Sequence, residues 1–224
     1  SKKRVVMLKK FTQAMLIANM LKCHLIGIPK KTVEMEGSLG VLSSVNLIQS
    51  IAQAEKTGIL LVIDDLGRQF SMKFANGIPM EMQMQGLSGK PALIELVTTF
   101  KSGNYKFQQK QVLPPDEKAQ APGGLDFYLL DCALSEDKMN WAQKLLDYKD
   151  LLLRAVENND GWLNAYNDPD ITPDEIEAMK TIYSLCDGTV RISGLSAKTR
   201  VLSTALIWRC VGLLHQYQVI ETKL

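Results

Sequence analysis

The residues suited to chemistry are few and scattered. Cys23 and His24 are neighbours, but they are the one place where a metal would find two adjacent ligands, and a zinc site needs about four. The other cysteines, Cys132, Cys186 and Cys210, are far apart in apolar surroundings, with no CxxC pair, and read as reduced, buried thiols. Only His24 and His215 offer an imidazole for acid–base work, and both sit in apolar helical or helix-end contexts. Gly86-Leu87-Ser88-Gly89-Lys90 places glycine and lysine at a helix start, where N–H groups can hold phosphate, yet the full Walker pattern is absent. There is no GxSxG elbow, no HExxH and no GxGxxG after a strand. No catalytic, metal or cofactor residue is assigned, and the expectation is a protein that is not an enzyme.

What remains is contact chemistry. Met80, Met82 and Met84 alternate with Glu81, Gln83 and Gln85, so one strand face would be thioether and the other polar. Thioethers fill irregular gaps and accept varied partners, while a sheet face covered by the domain's own helices explains the same row. A second contact region is the basic N-terminal stretch, with Lys9, Lys10, Phe11 and Met15 as its candidate contacts. Eight of the 26 basic residues precede Glu34, the first acid, so the body beyond holds eighteen against all 24 acids. Such an arm leaves an anionic membrane surface open as a contact, whereas the scarcity of aromatic residues beside Phe11 speaks against nucleic acid.

These residues need elements to hold them. Apolar residues Phe11, Met15, Ala18, Leu21 and Leu25 lie on one face of a helix over 7–26, ended by Gly27 and Pro29. A short strand from Val33 precedes a helix capped by Ser43 or Ser44 and running to Lys56. Gly58–Ile63 is a buried strand, Asp64–Gly67 a turn, and Arg68–Phe74 an alternating strand. Asn76-Gly77 predicts a tight hairpin turn, because both residues tolerate positive φ. The next strand would put Ile78, Met80, Met82 and Met84 on one face, and Pro79 makes it an edge strand. Ser88–Phe100 reads as a second helix with Pro91 in its first turn, and Asn104–Phe107 as a last strand. Gln108–Gly124, with Pro114, Pro115 and Pro122, is the obvious linker. Helical patterns follow at 126–134, 135–157, 173–186 and 196–213, with Ser135, Thr172 and Ser196 as caps, and short extended pieces at 189–193 and 216–221.

Taken in order, Gly37-Ser38-Leu39, Leu47-Ile48-Gln49 with Ile51, Lys56-Thr57-Gly58-Ile59-Leu60 and Phe74-Ala75-Asn76-Gly77 form a pattern. It continues through Gly89, Ala92-Leu93, Leu96, Phe100, Gly103, Tyr105 and Phe107. Over residues 33–107 this resembles the PATAN (PatA N-terminal type) domain of bacterial signalling proteins. Pro79 and Met82 depart from the aliphatic and small residues usual there. Ile182–Leu214 looks like the winged-helix-like helical module found beside that domain, with its Leu185-Cys186-Asp187-Gly188 turn and a helix bearing Leu202, Leu206, Ile207 and Val211. The resemblance implies a non-enzymatic interaction module tied to two-component signalling and surface motility in bacteria, notably cyanobacteria. Ile59–Asp65 also resembles the opening of a receiver domain, but a strand and hairpin follow where a receiver needs a helix, so Asp64-Asp65 reads as a turn.

The expected fold is α+β: a basic helix (1–31), a PATAN-like small antiparallel sheet with two helices (32–107), a linker (108–125) and a mostly helical, winged-helix-like domain (126–224). The expected function is an adaptor or scaffold docking on another bacterial protein, without small-molecule substrate or cofactor. A transcription regulator using the C-terminal module is the alternative, for which Lys198, Arg200 and Arg209 supply the cations. No signal peptide or spanning segment is read, and the expected location is cytoplasmic.

Overall fold

A computed structural model of the chain describes residues 33–40, 42–112, 124–157 and 161–223. The expected helix over 7–26, with Lys9, Lys10, Phe11, Met15 and the Cys23-His24 pair, lies outside them, as does 113–123 of the expected linker.

The first half is built on β1 (Val33–Leu39), β2 (Gly58–Asp64), β3 (Gln69–Ala75), β4 (Ile78–Met84), β5 (Leu87–Ser88) and β6 (Gly103–Gln109). They form one sheet in the order β1-β6-β2-β3-β4-β5. Helices α1 (Ser44–Gln53) and α2 (Lys90–Thr99) supply the apolar cover. Ser43 caps α1, its hydroxyl accepting from the Asn46 N–H at 3.2 Å, and Leu47 and Ile48 are buried with Ile51 one turn on. Asn76 and Gly77 both take positive φ, 49° and 77°, as the hairpin turn requires.

Register sorts the two sheet faces. Leu60 lies opposite Met72 and Phe107, Val62 opposite Phe70 and Tyr105, and Met72 opposite Met82. This row packs with α1 and α2 into the first core. On the other face, Ile59 is flanked by Lys73 and Gln108, and Leu61 by Ser71 and Lys106; Glu81 and Gln83 then continue those two rows on β4.

The second half differs more from expectation. Helix α3 (Gly124–Leu145) is continuous where two helices were expected, and Ser135 is not a cap: it sits mid-helix, its hydroxyl donating to the Asp131 carbonyl at 2.7 Å. Residues expected as the end of a helix to 157 instead form β7 (Leu152–Ala155). This strand is the middle of a three-stranded sheet, with β8 (Asp187–Arg191) and β9 (Ile220–Lys223) on either side. Helix α4 (Gly161–Asn167) precedes α5 (Pro173–Tyr183), where Thr172 and Glu175 complete a capping box. The expected helix over 196–213 is two, α6 (Ile192–Lys198) and α7 (Thr204–Gln216), and Ser203 rather than Ser196 caps the second. The expected linker also begins too early, since Gln108 and Gln109 belong to β6.

From Glu34 onward the chain is one compact unit. Trp208 touches both cores, and Gly212 lies so close to Ala142 that a Cβ there would stand 2.7 Å from the alanine methyl. Helices α3 and α7 therefore meet at small residues, which lets their backbones approach.

Candidate partner-binding surface

Strand β4 was expected to carry the contacts, and its geometry divides them. Lys73 faces Glu81 but the next residue, Phe74, faces Pro79, so Met80 is a bulge. Proline lacks the N–H that the ladder needs, which localises the irregularity here. The expectation of one face holding Ile78, Met80, Met82 and Met84 is thereby corrected. Pro79, Met82 and Met84 lie on the packed side, Met82 and Met84 being buried, while Met80 is half-buried and Ile78 is exposed. Burial of those two thioethers withdraws them from any partner, as the covered sheet face requires. Glu81, Gln83 and Gln85 are exposed. Both Glu81 oxygens have partners, Lys73 Nζ and Gln83 Nε2, so the row is held in place before anything docks. Strand β4 pairs with β5 only through Gln83 and Met84, so among the described residues β3 is the sole strand partner of its first half.

Asp64 and Asp65 form the turn that the sequence suggests. Asp64 Oδ1 accepts from the N–H groups of Leu66 and Arg68 at 3.0 and 2.8 Å, and Oδ2 takes the Arg68 Nε at 2.6 Å. Among the described residues no group of three or more His, Cys, Asp or Glu gathers as a metal site. In the glycine-lysine loop the Lys90 Nζ pairs at the surface with Asp131 at 2.8 Å.

Arg68 begins a network that sequence reasoning missed. Its guanidinium reaches Glu95 Oε1 at 3.3 Å and the Thr99 carbonyl at 3.4 Å, and lies 4.6 Å from the Phe100 ring centroid. Glu95 is only 5% exposed. Its Oε2 accepts from the Thr204 N–H at 2.6 Å and Oε1 from the Thr204 hydroxyl at 2.9 Å, so a residue of α2 caps the N-terminus of α7. The signal was present as a lone acid within Ala92-Leu93-Ile94-Glu95-Leu96-Val97, but the partner is 109 positions away.

Glu175 is buried too, like Asp64 and Glu95. Burial pushes its pKa up, yet the Thr172 N–H at 2.8 Å and the Lys138 ammonium at 2.9 Å, together with nearby Arg209, outweigh that and hold it below the usual glutamate value. Arg209 also lies 4.8 Å from the Trp141 ring centroid. Burial raises all three described thiols, Cys132 and Cys186 to about 12 and Cys210 higher still, the reverse of an activated nucleophile.

A cleft of about 900 Å³ opens along β9, bounded by Val156, Gly161, Asn164 and His215–Gln218. His215 Nδ1 is buried there without a hydrogen-bond partner. Among the described residues no helix is long and apolar enough to cross a membrane. No family model, curated protein or solved structure matches this chain.

Proposed function

We propose that this protein is a non-enzymatic adaptor or scaffold that docks on another bacterial protein, in signalling or motility control of the kind associated with PATAN-like domains. The observation that carries this reading is that, among the described residues, helices pack on one face only of the six-stranded sheet. Helices α1 and α2 cover one face, while on the other half-buried Ile59 and Leu61 lie beside Lys73, Lys106, exposed Glu81 and exposed Gln83. Apolar centre and polar rim together make the anatomy of a protein interface. The buried carboxylates support the same reading, since Glu95 and Glu175 are spent on helix N-termini and cations rather than directed at a substrate.

The regulator alternative has less behind it. In the winged-helix-like reading α7 would be the reading helix, and of its residues only Gln216 is exposed. Arg209, one of the three cations counted for DNA, is held between Glu175 and Trp141. A helix without an exposed polar face has nothing to lay in a groove.

Affinity capture of the tagged full chain, read by mass spectrometry beside a Glu81→Lys, Gln83→Lys variant, tests the adaptor reading. One stoichiometric protein partner, depleted in the variant, is the expected result. Enrichment of salt-sensitive nucleic acid without any protein overturns it.

A further inference from the structure

Helix α3 is apolar on two sides along its first half. Tyr128 and Cys132 turn into the core, whereas Phe127, Leu130 and Leu134 are 54%, 56% and 51% exposed. Spacings of three and four residues put these three on one face of the helix, one above another. Leu66 and Val201, also exposed, stand alone at turns, and Leu163 and Tyr166 make only a pair on the short helix α4.

Charge says what the stripe will accept. From Gly124 to Asp137 the helix carries Asp126, Asp131, Glu136 and Asp137 and no cation. Asp131 is neutralised by Lys90 at 2.8 Å and Glu136 by Lys101 at 3.4 Å. Asp126 and Asp137 are exposed beside the stripe, with no ion pair among the described residues. Size narrows the occupant further. Three half-exposed side chains offer on the order of 300 Å², well short of the roughly 800 Å² per partner of a stable interface between folded proteins. A single helix fits such a stripe, reading it through anchors at one-turn intervals.

We infer that the Phe127, Leu130 and Leu134 stripe docks one amphipathic helix of a partner protein, whose apolar ridge is flanked by Lys or Arg facing Asp126 and Asp137. This rests on the adaptor reading and names a contact for it. Apolar burial supplies the affinity, while the two carboxylates speed encounter and reject an acidic helix.

The test uses the full chain and two synthetic peptides of about 18 residues, long enough to form a helix on contact. Both carry the same leucine ridge, flanked by lysine in one and by glutamate in the other. Anisotropy titration should show the lysine peptide binding at least tenfold more tightly than the glutamate peptide, and weakening with salt. The L130D/L134D variant should lose at least tenfold in affinity. Both positions are exposed, and an unchanged near-UV spectrum and melting temperature will show that the variant is folded. Equal binding of the two peptides, no binding, or binding unchanged by L130D/L134D overturns the proposal. So does a native dimer in sedimentation that L130D/L134D dissolves, since the occupant is then a second copy. The adaptor reading is separable. A stoichiometric partner that L130D/L134D still captures removes the stripe alone, whereas a capture with no protein partner counts against the adaptor itself.

Discussion

At the scale of single residues, Glu95 joins three elements. Its carboxylate receives the N–H and hydroxyl of Thr204 and faces Arg68, so Glu95→Ala leaves two part-buried donors without their acceptor and Arg68 with Asp64 as its remaining carboxylate. Loss of this added cap, with a part-buried donor left unsatisfied, costs about 1–2 kcal/mol, and urea midpoints should fall accordingly. Glu95→Gln keeps one acceptor oxygen and should lose less. Glu175 makes a pH prediction. Its pKa is depressed in the fold, so it contributes stability that is complete above the unfolded value of about 4.3 and lost as pH falls through the folded value. Urea midpoints of the parent chain should therefore drop on acidification below about pH 4, and Glu175→Gln should flatten that drop. The thiols give a third check. Cys132, Cys186 and Cys210 are buried with raised pKa values, and mass spectrometry after mild alkylation should find them unmodified until denaturant is added.

Elements show how far the sequence could be read. The first hairpin, α1, α2 and β6 were legible because their punctuation is local: Ser43, Gly58, Asn76-Gly77 and Pro91 each act on the backbone at their own position. Strand β7 was not. Leu151-Leu152-Leu153-Arg154-Ala155 suits a buried helix as well as a buried strand, and the break before it has no glycine. Asp147 and Tyr148 end α3 by taking φ of 54° and 56°, a conformation that leaves no mark in composition when adopted by ordinary residues. On β4 the alternation of polar and apolar residues was readable, but the bulge at Met80 was not, nor that Met82 and Met84 belong to a core shared with α3. The hairpin turn gives a comparison between two glycines. Gly77→Ala would set a Cβ 2.3 Å from the Ala52 carbonyl oxygen as well as straining a positive φ, whereas at Gly67, φ 81°, nothing lies within 4 Å. Gly67→Ala should cost about 1 kcal/mol and Gly77→Ala at least about 2, as thermal melts would show.

For the molecule as a whole, the two sheets share α3 and α7 rather than hang on a tether. Trp141 and Trp162 pack against the second core alone and Trp208 against both, so their fluorescence reports chiefly on the second half. Hydrogen exchange at β2 and β3 amides reports on the first. Both probes should lose structure at one denaturant concentration, because Glu95 and the α3–α7 packing tie the halves together; two separated midpoints would mean that they unfold independently. The placement of β7 bears on how the molecule assembles. Its neighbours come from far downstream, Leu153 facing Val190 on one side and Thr222 on the other. Closing such distant pairings costs chain entropy before any hydrogen bond repays it. The hairpins β2–β3 and β3–β4 meet locally and can form first, whereas β2 must wait for β6, with Gly58 facing Gln109, as β7 must wait for β9. In a refolding experiment with pulsed exchange, the amides of β7 are therefore expected among the last to be protected.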